Sequence, residues 1–241
     1  MIVSAHQPHY LPWCGYINKI LLSDIFVVMD DMSFTSYNYI NRNRIIQTNT
    51  ILKISIPLKN KKTIGRKIKD VELDYSHSFR GVSKHIKSIE YNYKKCIGFD
   101  YFFPLLYNVL NKNYKWLLDL DLEIIYLIIN YLDIKTKVVL SSESNIGGKK
   151  EDELFISLLE KTNSTQVLLG LGASNDYINK KKIYAKGGEI VYQKFTHPNY
   201  DQNTSNFIKG ISIIDMLLNL NKKDAKRLIK NIGKIIKNKS L

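Results

Sequence analysis

The chain has 241 residues and 28.0 kDa, with 44% hydrophobic and 24% charged residues, so it can bury one large core. Its two cysteines, Cys14 and Cys96, are far apart and match neither a disulfide framework nor a metal-ligand pattern, so a reducing cytoplasmic setting is expected and no structural metal. The net charge of +14 is scattered among asparagine and isoleucine and concentrates only in the tail, which argues against a nucleic-acid partner and leaves at most peripheral contact with an acidic membrane surface.

The opening, MIVSAHQPHY, has no basic leader region followed by a long apolar run, so no secretory signal is expected. IVSA reads as a short strand, GYINKILLS as a helix and IFVVM as a strand buried on both faces. Pro8 and Pro12 forbid a regular element between the first strand and the helix. This order predicts a parallel βαβ unit, whose ligands bind beyond the C-terminal ends of the strands. The HQPHYLPW loop and the Asp30–Asp31 pair both fall at that edge.

SFTSYNYINRNRI is polar and aromatic without clear periodicity, ILKISIPL reads as a strand stopped by Pro57, and VELD as a further short strand. Helical spacing runs from about Phe79 to Leu132, predicting a helical insertion over 79–132. Its most apolar stretch, LEIIYLIINYLDI, is shorter than the ~20 residues a bilayer span requires. The last third alternates again: TKVVLS (strand), KKEDELFISLLEKTN (helix), TQVLLGLGASNDY (strand and glycine loop), YINKKKIYAKG (helix), EIVYQKF (strand) and ISIIDMLLNL (helix). A basic amphipathic helix over 222–238 ends the chain. The whole predicts a single α/β domain over 1–241, with a mostly parallel sheet flanked by helices.

Several stretches carry residues suited to chemistry. His6 follows a strand at the mouth of a helix, where an imidazole can act as a base or meet an anion; the alternative is a rigid turn in which it caps backbone groups. Asp30 and Asp31 end a buried strand and suit a metal, an amine proton or sugar hydroxyls; the alternative is one capping and one solvated carboxylate. Asn41-Arg42-Asn43-Arg44 is a donor cluster whose two arginines share a face if the segment is extended; the alternative is a surface strip. GLGASND, residues 170–176, is a strand-to-helix turn without dinucleotide or P-loop spacing. His197 follows another strand and precedes a proline, where it serves as either a site residue or a packed one.

These stretches, taken in order, resemble the WbqC-like family of bacterial O-antigen and polysaccharide gene clusters. The resemblance is carried by His6-Gln7-Pro8, Tyr10-Leu11-Pro12-Trp13, Gly15-Tyr16, SDIFVVMDD, NRNR, SSES at 141–144, LLGLGASNDY, FTHPNY and SIIDMLLN. It implies an acyl- or glycyl-type transferase forming an amide on an amino sugar of a surface polysaccharide. The donor would be ATP-activated with magnesium or an acyl-CoA, and the substrate a nucleotide-linked sugar. The strand, His-Pro loop, helix and strand are also similar to the opening of HUP-type nucleotidyl transferases, where histidines at a helix N-terminus hold ATP phosphates.

That analogy implies His6 and the helix starting near Gly15 on an α-phosphate, with Arg42 and Arg44 on further phosphate charge. Asp30 or Asp31 would carry magnesium or take the amine proton, and His197 would close the site. The implied catalytic set is therefore His6, Asp30, Asp31 and His197. Gln7, Tyr10, Trp13, Asn41, Arg42, Asn43 and Arg44 are implied in substrate binding, with Gly172, Ser174, Asp176 and Tyr200. His9 stands where the family pattern varies and ranks below His6. Two other readings remain open: a non-catalytic nucleotide-sugar-binding partner, and a nucleic-acid-binding protein working through the lysine tail.

Overall fold

In a computed structural model the described residues are 1–59, 63–76, 81–147, 151–172 and 179–237. The protein is α/β, with a six-stranded, mostly parallel sheet flanked by helices. In chain order the first elements are β1 (Ile2–His6), α1 (Cys14–Leu21) and β2 (Ile25–Val28), the βαβ unit expected from the opening. A hairpin of β3 (Arg42–Gln47) and β4 (Thr50–Ser55) follows, then three helices: α2 (Val82–Tyr93), α3 (Phe99–Leu110) and α4 (Leu117–Tyr131). The last third holds β5 (Lys137–Leu140), α5 (Glu151–Thr162), β6 (Gln166–Leu169), α6 (Lys180–Ala185) and β7 (Glu189–Phe195). It closes with α7 (Ile213–Asn219), α8 (Lys222–Asn231) and β8 (Gly233–Ile236).

The strand order is β5-β2-β1-β6-β7-β8, parallel except for β8. The chain therefore builds outward from β1 through β2 to β5, then crosses back to lay β6 on the other side of β1. Between β1 and β6 the winding reverses. Such a reversal splays the connections apart and leaves a crevice at the carboxyl ends of the two strands.

Side-chain alternation along β2 shows why the sheet is covered on both faces. Phe26 and Val28 enter one apolar cluster with Ile17 and Ile20 of α1 and residues of α2–α4, α7 and α8. Val27 and Met29 enter a second with Leu158 and Leu159 of α5 and Ile183 of α6. Fully burying a side chain the size of Phe26 or Ile17 is worth ~2–3 kcal/mol, so the two faces together hold the strand order in place.

Two expectations of local structure differ from what forms. The basic helix expected over 222–238 stops at Asn231, and Gly233–Ile236 pair antiparallel with β7 instead. Isoleucine and lysine spacing in IGKIIK fits a helix as well as a strand, but β7 presents an unpaired edge whose N–H and C=O groups need partners. Gly233 also packs against the Asn18 side chain, where a Cβ would collide. VELD forms only isolated bridges, Leu58 with Leu73 and Glu72 with Trp116, rather than a strand. Among the described residues no helix is long and apolar enough to cross a membrane.

Candidate functional site

A cavity of about 860 Å³ opens at the crevice between β1 and β6. Its floor is the end of β1 and the loop after it: Ala5, His6, Gln7 and His9. Lys19 enters from α1, Asn43 and Arg44 from β3, and Trp13 and His197 from the far side. Met29, Leu154, Phe155 and Leu169 form an apolar wall.

The HQPHYLPW loop is held by β3. Asn43 Nδ2 donates to the carbonyls of Tyr10 (3.0 Å) and Leu11 (2.7 Å), and its Oδ1 accepts from the Arg44 amide. Leu11 has φ 45°, a conformation costing a non-glycine residue ~1 kcal/mol, which the two Asn43 bonds offset. Asn38 Nδ2 donates to Gln7 Oε1 at 2.8 Å and fixes that side chain. The Trp13 indole folds over Gly15, where a Cβ would collide with the ring, and packs edge-on against Phe195 at 5.0 Å. His197 lies 5.9 Å from the Trp13 ring and 5.2 Å from Phe195.

The first turn of α1 is therefore covered by the indole, and Cys14 and Gly15 are absent from the cavity wall. The helix end expected to meet a phosphate is thus closed to the cavity, and the side chain that α1 presents there is Lys19, from further along the helix. Lys19 is 9% exposed and its Nζ donates to the Ala5 carbonyl at 3.2 Å. Burial lowers its pKa from the ordinary 10.5 to about 8.

His6 and His9 meet edge to face at 4.7 Å, and His9 stacks on Tyr16 at 4.8 Å. His6 Nδ1 lies 3.0 Å from the Gln7 carbonyl. A carbonyl only accepts, so Nδ1 carries the hydrogen and Nε2 keeps its lone pair. Burial first, and then the charge of Lys19, lower the His6 pKa to about 4, with the carbonyl contact opposing. His9 is driven well below the ordinary range by burial and by His6. Its Nδ1 is buried without a hydrogen-bond partner. His197 is lowered by burial and by Lys209. At neutral pH all three cavity imidazoles are thus neutral bases.

Arg44 donates from Nη2 to the Tyr39 hydroxyl at 2.8 Å, with its guanidinium carbon 5.6 Å from that ring. Its Nε is buried without a partner. Among the described residues neither Lys19 nor Arg44 has a carboxylate within ion-pair distance, and no aspartate or glutamate lines the cavity. Two cations without carboxylate partners among the described residues, beside an apolar wall, are chemically suited to an anion that carries a less polar body.

Of the expected site residues, the structure brings together His6, Gln7, Trp13, Asn43, Arg44 and His197. The carboxylates lie elsewhere. Asp30 is 1% exposed, accepts from Ser141 Oγ, the Ser142 amide and Ser142 Oγ, and ties the end of β2 to the loop after β5. Asp31 Oδ1 lies 2.5 Å from the same Ser141 Oγ, whose one hydrogen the two carboxylates share, and packs against Gly147, where a Cβ would collide. With both carboxylates tied into this junction, no carboxylate among the described residues faces the cavity, which does not fit magnesium held by protein carboxylates.

Tyr10 is core, its hydroxyl bonded to His85 Nδ1 at 2.9 Å. Asn41 donates to the Ile56 carbonyl and accepts from Arg42 Nε, so Arg42 is drawn aside and the two-arginine clamp is not built. Tyr200 donates to the buried Asp215 carboxylate at 2.6 Å, alongside Tyr93 at 2.8 Å. Gly170 reaches the cavity; Gly172 is exposed and does not. Ser174 and Asp176 lie outside the described residues.

Sequence reasoning did not name Lys19, Asn38, Tyr39 or the four apolar wall residues, and His9, which it placed below His6, also lines the cavity. Lys19 sits in a helix whose residues from Cys14 to Ile20 are all buried, and a lysine inside the largely apolar GYINKILL was the available signal.

A family model described as the WbqC-like protein family matches residues 7–227. Uncharacterized protein Rv1507c of Mycobacterium tuberculosis is 25% identical over 223 residues, covering 90% of this chain and 93% of its own. No solved structure matches the chain. The matched region runs from the cavity-floor loop through α7 and into α8, so the elements that build the site fall almost wholly within it, and the chain belongs to the WbqC-like protein family.

Proposed function

We propose that the protein is a transferase that forms an amide on the amino group of a nucleotide-linked sugar in the assembly of a surface polysaccharide. The observation that carries the reading is the cavity at the β1/β6 reversal, where Lys19 and Arg44 stand without carboxylates beside neutral His6. The anionic phosphates of the substrate lie against Arg44 and Lys19. The nucleoside or sugar body packs on Met29, Leu154, Phe155 and Leu169. An amine attacks the carbonyl carbon of an activated acyl donor, an acyl-CoA or acyl-adenylate. The C–N bond forms, the thiolate or phosphate leaves, and the amine proton passes to His6 Nε2.

The lysine tail supports a nucleic-acid reading less well. Lys222 and Lys226 pair with Asp133, and Arg227 pairs with Asp224 at 3.0 Å. A test incubates the protein with UDP- or dTDP-linked amino sugars and glycyl or acyl donors, and detects the amide by mass spectrometry. The reading expects product with wild type and a loss of at least 100-fold with His6→Gln. Tight substrate binding with no product from any donor would favour a non-catalytic nucleotide-sugar-binding partner of the same pathway.

A further inference from the structure

Lys19 is an unusual element of this cavity. It is a cation on the buried side of a helix, held by one hydrogen bond to the carbonyl of Ala5, the residue immediately before His6. Two of its three ammonium hydrogens are left without a partner among the described residues. Both side chains, Lys19 and His6, line the same cavity, with the Lys19 ammonium anchored on the carbonyl that precedes His6 in the chain. Resting on the reading above, we propose that Lys19 is a positioning residue that couples anion binding to proton transfer. A phosphate group docking on its ammonium frees the His6 imidazole to accept the proton of the incoming amine.

The physical argument starts from the state before the anion binds. His6 is pressed toward its neutral form by burial and by the Lys19 charge, and its conjugate acid is then too acidic to hold a proton from an amine. The other groups facing it add no compensating negative charge: His9 from the loop, Tyr16 from α1, and Tyr39, Arg44 and His197 across the cavity. A phosphate at Lys19 cancels the nearest positive charge and adds a negative one, so both changes favour imidazolium. The base gains strength only when the anionic part of the substrate is seated. Proton transfer is thereby tied to correct occupancy, and an amine reaching the cavity without a phosphate finds a base too weak to use.

The test follows the His6 ring by NMR across pH, assigned by its loss in His6→Gln, with inorganic pyrophosphate as probe. In wild type the titration midpoint is expected to rise by at least one pH unit at saturating pyrophosphate. In Lys19→Met the midpoint without ligand is expected to start higher, and the pyrophosphate-induced rise to fall to less than half. Lys19→Arg, which keeps the charge, is expected to restore the low starting midpoint and guards against a packing effect of the methionine variant. Pyrophosphate binding that leaves the wild-type midpoint in place would overturn the coupling while sparing the anion site. An equal rise in Lys19→Met would overturn the role of Lys19. Failure of pyrophosphate to bind at millimolar concentration would overturn both the coupling and the anion-site reading.

Discussion

Replacing Lys19 with methionine is expected to make the ligand-free protein more stable, and the magnitude follows from its burial. Methionine preserves the length and most of the volume of the stem, so packing in α1 changes little. The pKa of Lys19 falls from 10.5 to about 8. At ~1.4 kcal/mol per pH unit, keeping this amine ionised in the folded protein costs ~3 kcal/mol at pH 7. Against that stands the lost bond to the Ala5 carbonyl, ~1 kcal/mol, since the carbonyl faces an open cavity where water can replace the amine. The net gain is ~2 kcal/mol, a rise in Tm of ~4–8 °C for a chain of this size.

The sign reverses with pH, which makes the test specific. The folded pKa is depressed, so between about 8 and 10.5 the unfolded chain binds more protons than the folded one. Wild-type stability therefore gains ~3 kcal/mol across that window relative to the variant. Urea unfolding of both proteins at pH 7, 8, 9 and 10 measures the difference, and the ionisations they share cancel. The variant should lead at pH 7 and lose its lead by pH 10. A variant that is less stable at pH 7, or a difference that does not change with pH, would refute the reasoning.

Three further outcomes are expected. Asp30→Ala strips the carboxylate partner from the Ser142 amide and Ser142 Oγ and leaves Ser141 Oγ with Asp31 alone, and should cost ~2–4 kcal/mol in urea unfolding while leaving pyrophosphate affinity within ~threefold below the melting range; full stability with lost binding would put Asp30 back in the site. His6→Gln should flatten the acid limb of stability, because folded His6 titrates at about 4 and the unfolded chain at the ordinary 6.5. In that window the folded wild type binds fewer protons and loses ~1.4 kcal/mol per pH unit on acidification from this group alone, and identical slopes in the two proteins would contradict it. Gly15→Ala should push the Trp13 ring off Phe195 and out of the cavity wall, at a cost of ~1–3 kcal/mol, with changed tryptophan fluorescence and weaker ligand binding; unaltered fluorescence would show that the ring does not rest on Gly15.

The sequence made the sheet legible because burial on both faces writes continuous apolar runs such as IFVVM and QVLL, and prolines marked the loop between β1 and α1. It left β8 hidden. A short run of isoleucine, lysine and glycine has no preference strong enough to resist an open strand edge, and that edge belongs to a segment some forty residues earlier. At the site, strand-end position identified His6 and His197 correctly as cavity residues, since the topology brings those ends together. The same argument failed for Asp30, which also ends a strand but turns toward Ser141 and Ser142 in the neighbouring connection. Lys19 was easy to pass over for the opposite reason: α1 brings it to the cavity from a helix position, where a lone lysine reads as surface unless the apolar residues around it are weighed.

On the proposed function, the cavity between β1 and β6 binds a phosphate-bearing ligand through two cations, Lys19 and Arg44, that have no carboxylate partner among the described residues. Titration calorimetry of UDP- and dTDP-linked amino sugars and of pyrophosphate into wild type and Arg44→Ala tests it most directly. The guanidinium lines the cavity and is oriented there by its bond to Tyr39, so its removal should weaken both ligand classes by at least tenfold, ~1.4 kcal/mol or more. Wild-type binding that survives in Arg44→Ala at unchanged affinity would contradict the account and place the anion elsewhere.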